Sequence, residues 1–365
     1  MERCSYWKEI LIVEKCVHGG AALLHLPDGM VCFVEGALPG EAIELEVVER
    51  KRDFAKAKVL KILKPHEKRQ VPPCPYYGKC GGCNAQYAKF ELQIEILRVI
   101  ISDLFFRAAR KEIPENFKIH TGAQWNYRCR AQLFRTDDSN IPWGFMARGS
   151  NDVVPIEKCM VLSEKLNEKL FENSSERKRR IFDNQSERFL GKHIYADERV
   201  FFQSNLELLA SLINAIKEAA GTGIVLLDIF CGVGLFSSIL HDKFENVIAI
   251  EEDRDCRKFA EKNLGKNCEF HAKSAEKFFA ENSLDLSEAC AIIDPPRLGL
   301  SKDLCSVLCK AKIRKLIYVS CDPATLVRDT AKFLKAGYEL KNIQGFAFYP
   351  QTFHLEMMAE FSFNS

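Results

Sequence analysis

The sequence predicts an α/β fold whose C-terminal part is a doubly wound parallel sheet, preceded by a small β-barrel and a small central α+β domain. Three observations predict it. From residue 203 onward, continuous apolar segments alternate with helical stretches, which is typical of parallel strands covered by helices. Five short strand-like segments separated by Gly and Pro turns occupy the N-terminal part, as in small barrels. A turn-rich segment with three cysteines lies between these regions.

The composition of the 365-residue chain is that of a globular protein, with 47% hydrophobic and 28% charged residues. No apolar run has the length of a membrane helix and no signal-peptide core is present, so we expect a cytoplasmic protein without a membrane partner. Fifteen cysteines in such a chain favour reduced thiols, a metal site or a catalytic thiol over disulfides. A net charge of +2 does not by itself predict a nucleic-acid partner, and no obligate protein partner is inferred.

Three domains are predicted, over residues 1–66, 67–200 and 201–365. The first contains the strand-like segments 10–13, 21–24, 30–34, 42–48 and 57–63. Alternation along the last segment predicts an exposed stripe of Lys56, Lys58 and Lys61, which is either a solvated face or a surface for phosphates.

The central domain is predicted to contain four kinds of segment. They are the cysteine-rich turns at 71–84, a long helix at 85–116 that packs on the C-terminal domain, strands at 117–160 and a polar loop at 171–192. Within the loop, residues 177–180 are Arg, Lys, Arg and Arg. This second basic cluster also allows two interpretations, a solvated face or a contact to phosphate.

The C-terminal domain has four apolar segments that predict buried strands, at 224–228, 246–251, 289–294 and 315–320. The first leads into a turn with Gly232 and Gly234, which lets the backbone approach a ligand closely. Glu251 follows 19 residues after Gly232, the spacing expected of a carboxylate that binds ribose hydroxyls. Ser237 occupies the place of a third glycine, so a nucleoside without a pyrophosphate, such as S-adenosylmethionine, fits better than a dinucleotide. A plain strand-to-helix turn is the alternative.

Two further strand ends and one C-terminal segment contain candidate reactive groups. The third strand ends in Asp294 and is followed by two prolines and Arg297, which predicts a rigid loop at the ligand-binding edge. The fourth ends beside Cys321, and Glu356 follows near the C-terminus. A structural turn, a buried inert cysteine and a surface charge remain the alternatives for these three features.

Together, these motifs resemble the RNA uracil-C5 methyltransferase family over nearly the whole chain. The matching segments are 201–205, 228–234, 294–297, 320–325 and 354–356. The resemblance implies a class I, Rossmann-like methyltransferase domain in which Gln203, Phe230, Glu251 and Asp294 contact S-adenosylmethionine beside the loop of Gly232 and Gly234. It also places Ser274 on the adenine side. Leu235 stands where the family usually has Asn, so no contact is assigned to it.

The expected reaction explains why these residue types are needed. A thiolate of Cys321 that adds to C6 of uracil makes C5 nucleophilic enough to take a methyl group, and a thiolate is also a good leaving group. Glu356 is expected to remove the C5 proton so that the thiolate can leave. The target base must leave any stack to reach the thiol, which favours single-stranded or loop RNA.

The cysteines of the central domain follow a C-x5-C-x2-C pattern at Cys74, Cys80 and Cys83, and Cys159 is the candidate for a fourth ligand. In the same family, some members hold a four-iron, four-sulfur cluster at a matching quartet. Zinc uses four-cysteine sites as well, so [4Fe–4S], zinc and no metal all remain open, with the iron–sulfur cluster favoured.

Two further segments resemble RNA-binding parts of the family. The N-terminal barrel is similar to the TRAM domain, an OB-like module, and Arg128 and Arg130 are similar to an arginine-bearing strand near the target base. A TRAM-like domain together with the cysteine quartet favours 23S rRNA over tRNA as substrate. Competing interpretations are a tRNA uracil-C5 methyltransferase, an RNA cytosine-C5 methyltransferase, an amino-group methyltransferase and a non-catalytic RNA-binding protein.

Overall fold

The computed structural model describes residues 6–138, 140–172, 176–183, 186–189 and 191–363. The chain forms two compact units. The first comprises Met1–Asp103, Phe145–Val154 and Tyr349–His354, and the second comprises Leu104–Gly144, Pro155–Phe348 and Leu355–Ser365. The three-domain division at residues 66 and 200 is a different partition and stays a prediction. Within the described ranges, no helix is long and apolar enough to cross a membrane.

The N-terminal part of the first unit is a six-stranded sheet. Its strands are β1 (Tyr6–Ile12), β2 (Lys15–Cys16), β3 (Ala22–His25), β4 (Val31–Glu35), β5 (Ala42–Arg50) and β6 (Ala55–Lys64). The order is β1-β5-β6-β4-β3-β2, and only the β4–β6 pair is parallel. The two edge strands are consecutive in sequence, and the amides of Val13 and Glu14 bond to Glu41 O and Leu23 O on opposite sides. The sheet therefore closes into the expected small barrel.

The predicted lysine stripe lies on β6, and its three lysines are exposed. Lys56 forms an ion pair with Glu49 at 2.8 Å, and Lys58 forms one with Glu46 at 2.6 Å, because β5 and β6 place these residues opposite each other. The stripe is therefore a face of mixed charge, which weakens the interpretation that it binds phosphates.

The predicted helix 85–116 is wrong at both ends. Helix α1 spans Phe90–Leu104 and is followed by a π-helical turn, Phe105–Ala109, which belongs to the second unit and packs there against the helix over residues 323–335. At the start, the Gln93 side chain donates to Ala85 O and Ala88 O and so holds residues 85–88 in a turn. At the end, Arg110 has a left-handed backbone (φ 52°), which stops the helix.

Short strands follow, with one small helix among them. They are β7 (Ile119–His120), β8 (Arg130–Arg135), β9 (Trp143–Met146), β10 (Val153–Pro155), α2 (Glu164–Glu168, extended by a 3-10 turn over Lys169–Phe171), β11 (Lys178–Phe182), β12 (Ser186–Phe189) and β13 (Lys192–Tyr195). One sheet has the order β10-β9-β8-β11, and β12 pairs with β13.

The predicted polar loop at 171–192 is therefore wrong over most of its described part. Strands β11 and β12 run through it and β13 begins at its last residue, although residues 173–175, 184–185 and 190 lie outside the described residues. Ile181 and Phe182 at the end of β11 are buried, and β11 pairs along its whole length with β8. Pairing with a partner strand decides the conformation here, whereas the local sequence is mostly charged.

The remaining elements build an eight-stranded sheet. They are α3 (Leu206–Ala220), β14 (Gly223–Ile229), α4 (Leu235–Leu240, followed by a 3-10 turn over His241–Lys243), β15 (Phe244–Glu251), α5 (Arg254–Asn263), β16 (Cys268–Ala272), α6 (Ala275–Glu281), β17 (Cys290–Ile293), α7 (Lys302–Ala311), β18 (Lys315–Ser320), α8 (Pro323–Lys335), β19 (Glu339–Phe346) and β20 (Glu356–Ser362). The strand order is β16-β15-β14-β17-β18-β20-β19-β7.

The alternation of strands and helices confirms the predicted doubly wound fold. Strands β14 to β18 are mutually parallel, and β20 runs antiparallel between β18 and β19. All four predicted buried strands are present as β14, β15, β17 and β18. Ligands bind at the carboxyl edge of such sheets, so the ends of these strands define where a site is expected.

Candidate active site

Five of the predicted site residues meet at one edge of the eight-stranded sheet, entirely within the second unit. Phe230, Glu251, Asp294 and Cys321 stand at or just beyond the carboxyl ends of the parallel strands β14, β15, β17 and β18. Glu356 is the first residue of β20. Because β20 is antiparallel to β18, its first residue lies at the same edge as the carboxyl ends of the others.

The register between β18 and β20 brings the two predicted reactive groups together. Ser320 pairs with Met357; Cys321 follows Ser320 at the end of β18 and Glu356 precedes Met357 at the start of β20, so both residues adjoin this pair. Directly opposed residues in an antiparallel pair have Cα atoms about 4.5–5.5 Å apart. The thiol and the carboxyl group are therefore near each other at the end of this strand pair, and Glu356 raises the pKa of Cys321.

The loop after β14 is held in an unusual backbone conformation. Phe230, Gly232 and Gly234 all have positive φ angles, of 64°, 53° and 79°. A Cβ on Gly234 would lie 2.9 Å from the Leu264 side chain, whereas a Cβ on Gly232 would meet no protein atom within 4 Å. Gly234 therefore allows close packing, and Gly232 leaves open space in which a ligand can approach the backbone.

The carboxylate of Glu251 is tied to this loop. One oxygen accepts a hydrogen bond from Gly232 N at 2.9 Å, and the other accepts one from Asp253 N at 2.8 Å. Burial raises the pKa of Glu251, and these backbone donors oppose the rise. Each oxygen keeps a further lone pair, so the group can still accept from the hydroxyls of a ribose.

Asp228 is a buried acid to which the sequence motifs assign no role of its own. Its Oδ2 accepts hydrogen bonds from Ser237 N at 2.9 Å and from Ser237 Oγ at 2.7 Å. Burial raises its pKa to about 6. Ser237, which in the sequence marks only a missing glycine, thus fixes the start of α4 to the end of β14. An acid just before a glycine loop, with a serine nine residues after that acid, is the sequence pattern that could have revealed this interaction.

Gln203 and Ser274 lie on two segments that lead into helices. Gln203 is buried, and its Oε1 has no hydrogen-bond partner among the described residues, so the amide is available to a ligand donor. Gln203 is followed by α3, whose N-cap residue is Asn205. The Asn205 side chain accepts a hydrogen bond from Leu208 N and donates one to Phe348 O. Ser274 accepts from Lys277 N and caps α6; its contact to an adenine remains a prediction.

The Cys321 thiol is partly buried and faces two acids. Burial, together with Glu356 and Asp294, raises its pKa to about 12, and Arg297 acts in the opposite direction. Asp322, the next residue, accepts from Ala324 N at 2.8 Å and caps α8. The thiol is therefore protonated near neutral pH in the absence of ligands.

The two acids near Cys321 also favour their neutral forms. Burial, followed by the neighbouring Asp294, raises the pKa of Glu356 well above its usual range, and Glu356 Oε1 has no hydrogen-bond partner within the described residues. Burial, with Asp228 and Glu251 nearby, raises the pKa of Asp294 to about 7. A cation bound at this edge would favour the ionised forms of all these acids.

A second buried acid, Asp329, joins the loop that follows Asp294 to helix α8. Its Oδ2 accepts from Leu300 N at 3.1 Å and from Tyr318 Oη at 3.0 Å, and Arg328 donates to Leu300 O at 3.0 Å. Gly299, with φ +70°, packs against this carboxylate. Asp329 thus fixes the loop that carries Arg297 to the helix that starts beside Cys321. In the sequence it is only one charged residue in an amphipathic helix, so no local signal marks it.

The structure does not show the predicted metal site. Cys74 and Cys83 lie in irregular segments of the first unit, Cys80 forms a β-bridge with Ala147, and Cys159 belongs to the second unit. Across the described ranges, no group of three or more His, Cys, Asp or Glu side chains is arranged as metal ligands. Cys80 Sγ nevertheless accepts a hydrogen bond from Gly82 N at 3.4 Å, an interaction that suits a ligating sulfur.

The predicted RNA-binding arginines lie at the start of β8. Arg130 is the first residue of the strand, and Arg128 precedes it with its Nε donating to Arg130 O at 2.9 Å. Cys129 lies between the two arginines. Its amide donates to Ser204 O at 2.9 Å, and its thiol donates to Gln203 O at 3.6 Å. Both arginines are thereby held next to the segment that carries Gln203.

Comparison with known proteins decides the family. Residues 181–360 match the family model described as tRNA (Uracil-5-)-methyltransferase. The 23S rRNA (uracil(1939)-C(5))-methyltransferase RlmD of Shewanella amazonensis is 31% identical, over 97% of this chain and 95% of that protein. The chain belongs to the RNA uracil-C5 methyltransferase family. Membership makes it an S-adenosylmethionine-dependent RNA methyltransferase of the uracil-C5 class.

Two other similar proteins extend this comparison. A protein of Treponema denticola named "Uncharacterized RNA methyltransferase" is 30% identical, over 98% of this chain and all of that protein. The crystal structure of the Pyrococcus abyssi tRNA (uracil-54, C5)-methyltransferase in complex with S-adenosyl-L-homocysteine has a TM-score of 0.71, with 20% identity over 96% of this chain and 99% of that one. At this identity the structural likeness supports the fold alone.

Proposed function

We propose that this enzyme transfers a methyl group from S-adenosylmethionine to C5 of a uridine in RNA through a covalent bond between Cys321 and C6 of the base. One observation supports the proposal: Cys321 and Glu356 adjoin the terminal Ser320–Met357 pair of β18 and β20, at the edge where the glycine loop opens. A nucleophile and a base on adjacent strands, beside a cofactor loop, are what the reaction requires.

The residues at this edge fit S-adenosylmethionine. Gly232 leaves open space, Gln203 offers a buried acceptor that bonds to no described residue, and Glu251 is held where ribose hydroxyls can reach it. Phe230 and Asp294 end the neighbouring strands and are proposed to line the same site. S-adenosylmethionine supplies an electrophilic methyl group and a positive charge, which suits a site with three acids.

The proposed reaction assigns each proton and electron pair. The Cys321 thiol loses its proton to water and its sulfur adds to C6, and the electron pair of the C5–C6 double bond becomes available at C5. C5 uses this pair to bond to the methyl group; the bond between that methyl group and the sulfonium sulfur breaks, its electron pair stays on sulfur, and S-adenosylhomocysteine leaves. Glu356, ionised at this stage, takes the proton from C5, and the electron pair left behind re-forms the double bond and expels the Cys321 thiolate.

The raised pKa values indicate when these groups become active. Without ligands, the thiol of Cys321 and the carboxyl of Glu356 are both neutral because they are buried beside other acids. A positive charge at the strand ends lowers both pKa values and so favours the ionised forms that the reaction uses. Activation of the nucleophile is therefore proposed to depend on a filled site.

The proposed substrate is 23S rRNA, with tRNA as the alternative. The relative from Shewanella amazonensis carries the name of a 23S rRNA methyltransferase, and the first unit contains the barrel proposed to be a TRAM domain. Arg128 and Arg130 are proposed to contact RNA. The target uridine must be unstacked to reach a thiol at a strand end.

We also propose that Cys74, Cys80, Cys83 and Cys159 hold a [4Fe–4S] cluster, with zinc as the alternative. The backbone donor to Cys80 Sγ and the glycines around it support a ligand role. Because the methyl transfer requires no redox step, the cluster's role would be structural. Iron and sulfide analysis of protein purified without oxygen, beside a Cys80→Ser variant, tests this. Stoichiometric zinc without iron would favour the alternative, and neither metal would refute both.

Methylation assays test the main proposal. Unmodified 23S rRNA and tRNA transcripts are incubated with labelled S-adenosylmethionine, and the nucleosides are analysed by mass spectrometry. We expect 5-methyluridine in 23S rRNA, its loss in Cys321→Ala, and full activity in Cys268→Ala, a matched cysteine variant on β16. We further expect Glu356→Gln to accumulate a denaturation-resistant RNA–protein adduct. 5-Methylcytidine, or full activity of Cys321→Ala, would overturn the mechanism.

A further inference from the structure

Strands β8 and β11 present a basic face whose residues take no part in the proposed methyl-transfer steps. In this antiparallel pair, Arg180 lies opposite Gln132 and Phe182 lies opposite Arg130. Opposed residues, and residues two apart along a strand, share one face of a sheet. Arg130 and Arg180 are therefore diagonal neighbours on the same face, and Lys178 continues that face along β11. Arg179 points to the other face, where it forms an ion pair with Glu172 at 2.6 Å.

The backbone of the segment that precedes Gln203 holds both guanidinium groups side by side. Arg130 Nη2 donates to Glu198 O at 3.2 Å, and Arg180 Nη1 donates to Arg199 O at 3.0 Å. The two acceptors are consecutive carbonyls, so the two cations are fixed close together. Burial first, and then the charge of Arg180, lowers the pKa of Arg130. Two adjacent like charges are unfavourable unless an anion binds between them.

Arg130 also has a hydrogen-bond donor that lacks an acceptor in the described part of the chain. Its Nη1 is buried and makes no hydrogen bond to any described residue. Two acids lie beside these carbonyls: Asp197 already accepts from Arg199 N and Arg199 Nε, both at 2.9 Å, and the exposed Glu198 raises the pKa of Arg130 less than burial and Arg180 lower it. A buried donor without an acceptor is unfavourable, and an oxygen atom of a ligand would satisfy it.

We propose that Arg130 and Arg180 form a binding site for a backbone phosphate of the RNA substrate. Two guanidinium groups with donors to spare match the oxygens of a phosphodiester. The site lies on the chain segment that leads directly to Gln203, so it would hold the RNA beside the cofactor edge. The proposal rests on the proposed function and adds to it a residue, Arg180, that the family resemblance does not assign.

The salt dependence of RNA binding tests the site, with Arg180→Gln as the variant and Arg179→Gln as the matched control. The Kd of the RNA transcript is measured by filter binding from 50 to 300 mM KCl. Each phosphate contact contributes roughly 0.7–0.9 to the slope of log K against log salt. We expect Arg180→Gln to weaken binding about tenfold and to reduce the slope by about this amount. Arg179→Gln, on the opposite face, should leave the slope unchanged.

Three further outcomes distinguish a phosphate site from a cofactor site and from a folding defect. An unchanged slope in Arg180→Gln, or equal changes in both variants, would overturn the phosphate site. A weaker Kd for S-adenosylmethionine with an unchanged RNA slope would assign the arginines to the carboxylate of the cofactor instead. Arg180→Lys should retain the slope, which distinguishes lost charge from lost folding. Failure of the wild-type enzyme to make 5-methyluridine refutes the proposed function, while the binding slope still tests the site.

Discussion

The thiol of Cys321 should react slowly with alkylating reagents when neither RNA nor cofactor is bound. Burial, Glu356 and Asp294 together raise its pKa to about 12, whereas a free cysteine has a pKa of about 8.5. The thiolate is the reactive form, so at pH 7.5 the ionised fraction falls from about one tenth to about one part in 30,000. Alkylation of Cys321 should therefore be about 3,000-fold slower than that of a free thiol.

The assay follows modification of the peptide that contains Cys321 by iodoacetamide between pH 7 and pH 10.5, using mass spectrometry. The same peptide in urea-unfolded protein is the reference. In folded protein the logarithm of the rate should rise by about one for each pH unit across the whole range, because the pKa lies above it. The reference should level off near pH 9.

Two charged neighbours should shift the alkylation rate of Cys321 in opposite directions when they are removed. Glu356→Gln removes an acid that raises the pKa of Cys321 once it is ionised, so the variant should alkylate faster in the upper part of the pH range. Arg297→Gln removes a cation that lowers it, so this variant should alkylate more slowly. A levelling of the wild-type rate below pH 9, or no difference between the two variants, would refute the electrostatic reasoning.

Three further predictions concern stability. Asp329→Ala removes the acceptor of several donors around a buried carboxylate, so urea titration should show the free energy of unfolding lowered by about 3–5 kcal/mol. Tyr318→Phe, which removes one of these donors, should lower it by about 1 kcal/mol. Equal losses in the two variants would contradict the network. Burial raises the pKa of Asp294 to about 7 in the folded protein. The stability that its neutral form contributes is therefore fully present below pH 4 and is lost as the pH rises through 7. Asp294→Asn should raise Tm at pH 8 and leave it unchanged at pH 4. Gly20 has φ +87° and would place a Cβ 2.0 Å from the Phe353 ring, so Gly20→Ala should cost about 2–4 kcal/mol; a neutral effect in thermal unfolding would show that the ring can move.

Some of this site could be predicted from sequence because strand ends are local features. A continuous apolar segment followed by Asp294 or Cys321 predicts both a buried strand and the position of its carboxyl end. In a sheet of parallel strands, these ends lie together at one edge. The proximity of Cys321 to Glu356 is expected only by resemblance. It depends on the antiparallel insertion of β20, which no local pattern indicates.

What could not be predicted depends on partners that are distant in sequence. The sequence of β11 is mostly charged, as in a loop, and its strand conformation depends on pairing with β8. The start of α1 is set by Gln93, whose side chain binds carbonyls that a longer helix would have used. Asp329 is recognisable only when the loop at Leu300 is seen to fold back onto it. In each case a single long-range contact overrides the local preference.

The first unit is built from three separate stretches of chain, and this affects the order of events during synthesis. Its last stretch, Tyr349–His354, binds the earlier ones through Gln351, which exchanges hydrogen bonds with Gln93 at 3.1 Å. At elongation rates of about 5–20 residues per second, the ribosome needs roughly 13–50 s to make the intervening chain. For that time the nascent unit holds an unfilled place for its final segment. The first unit can therefore be completed only when nearly the whole chain has been made.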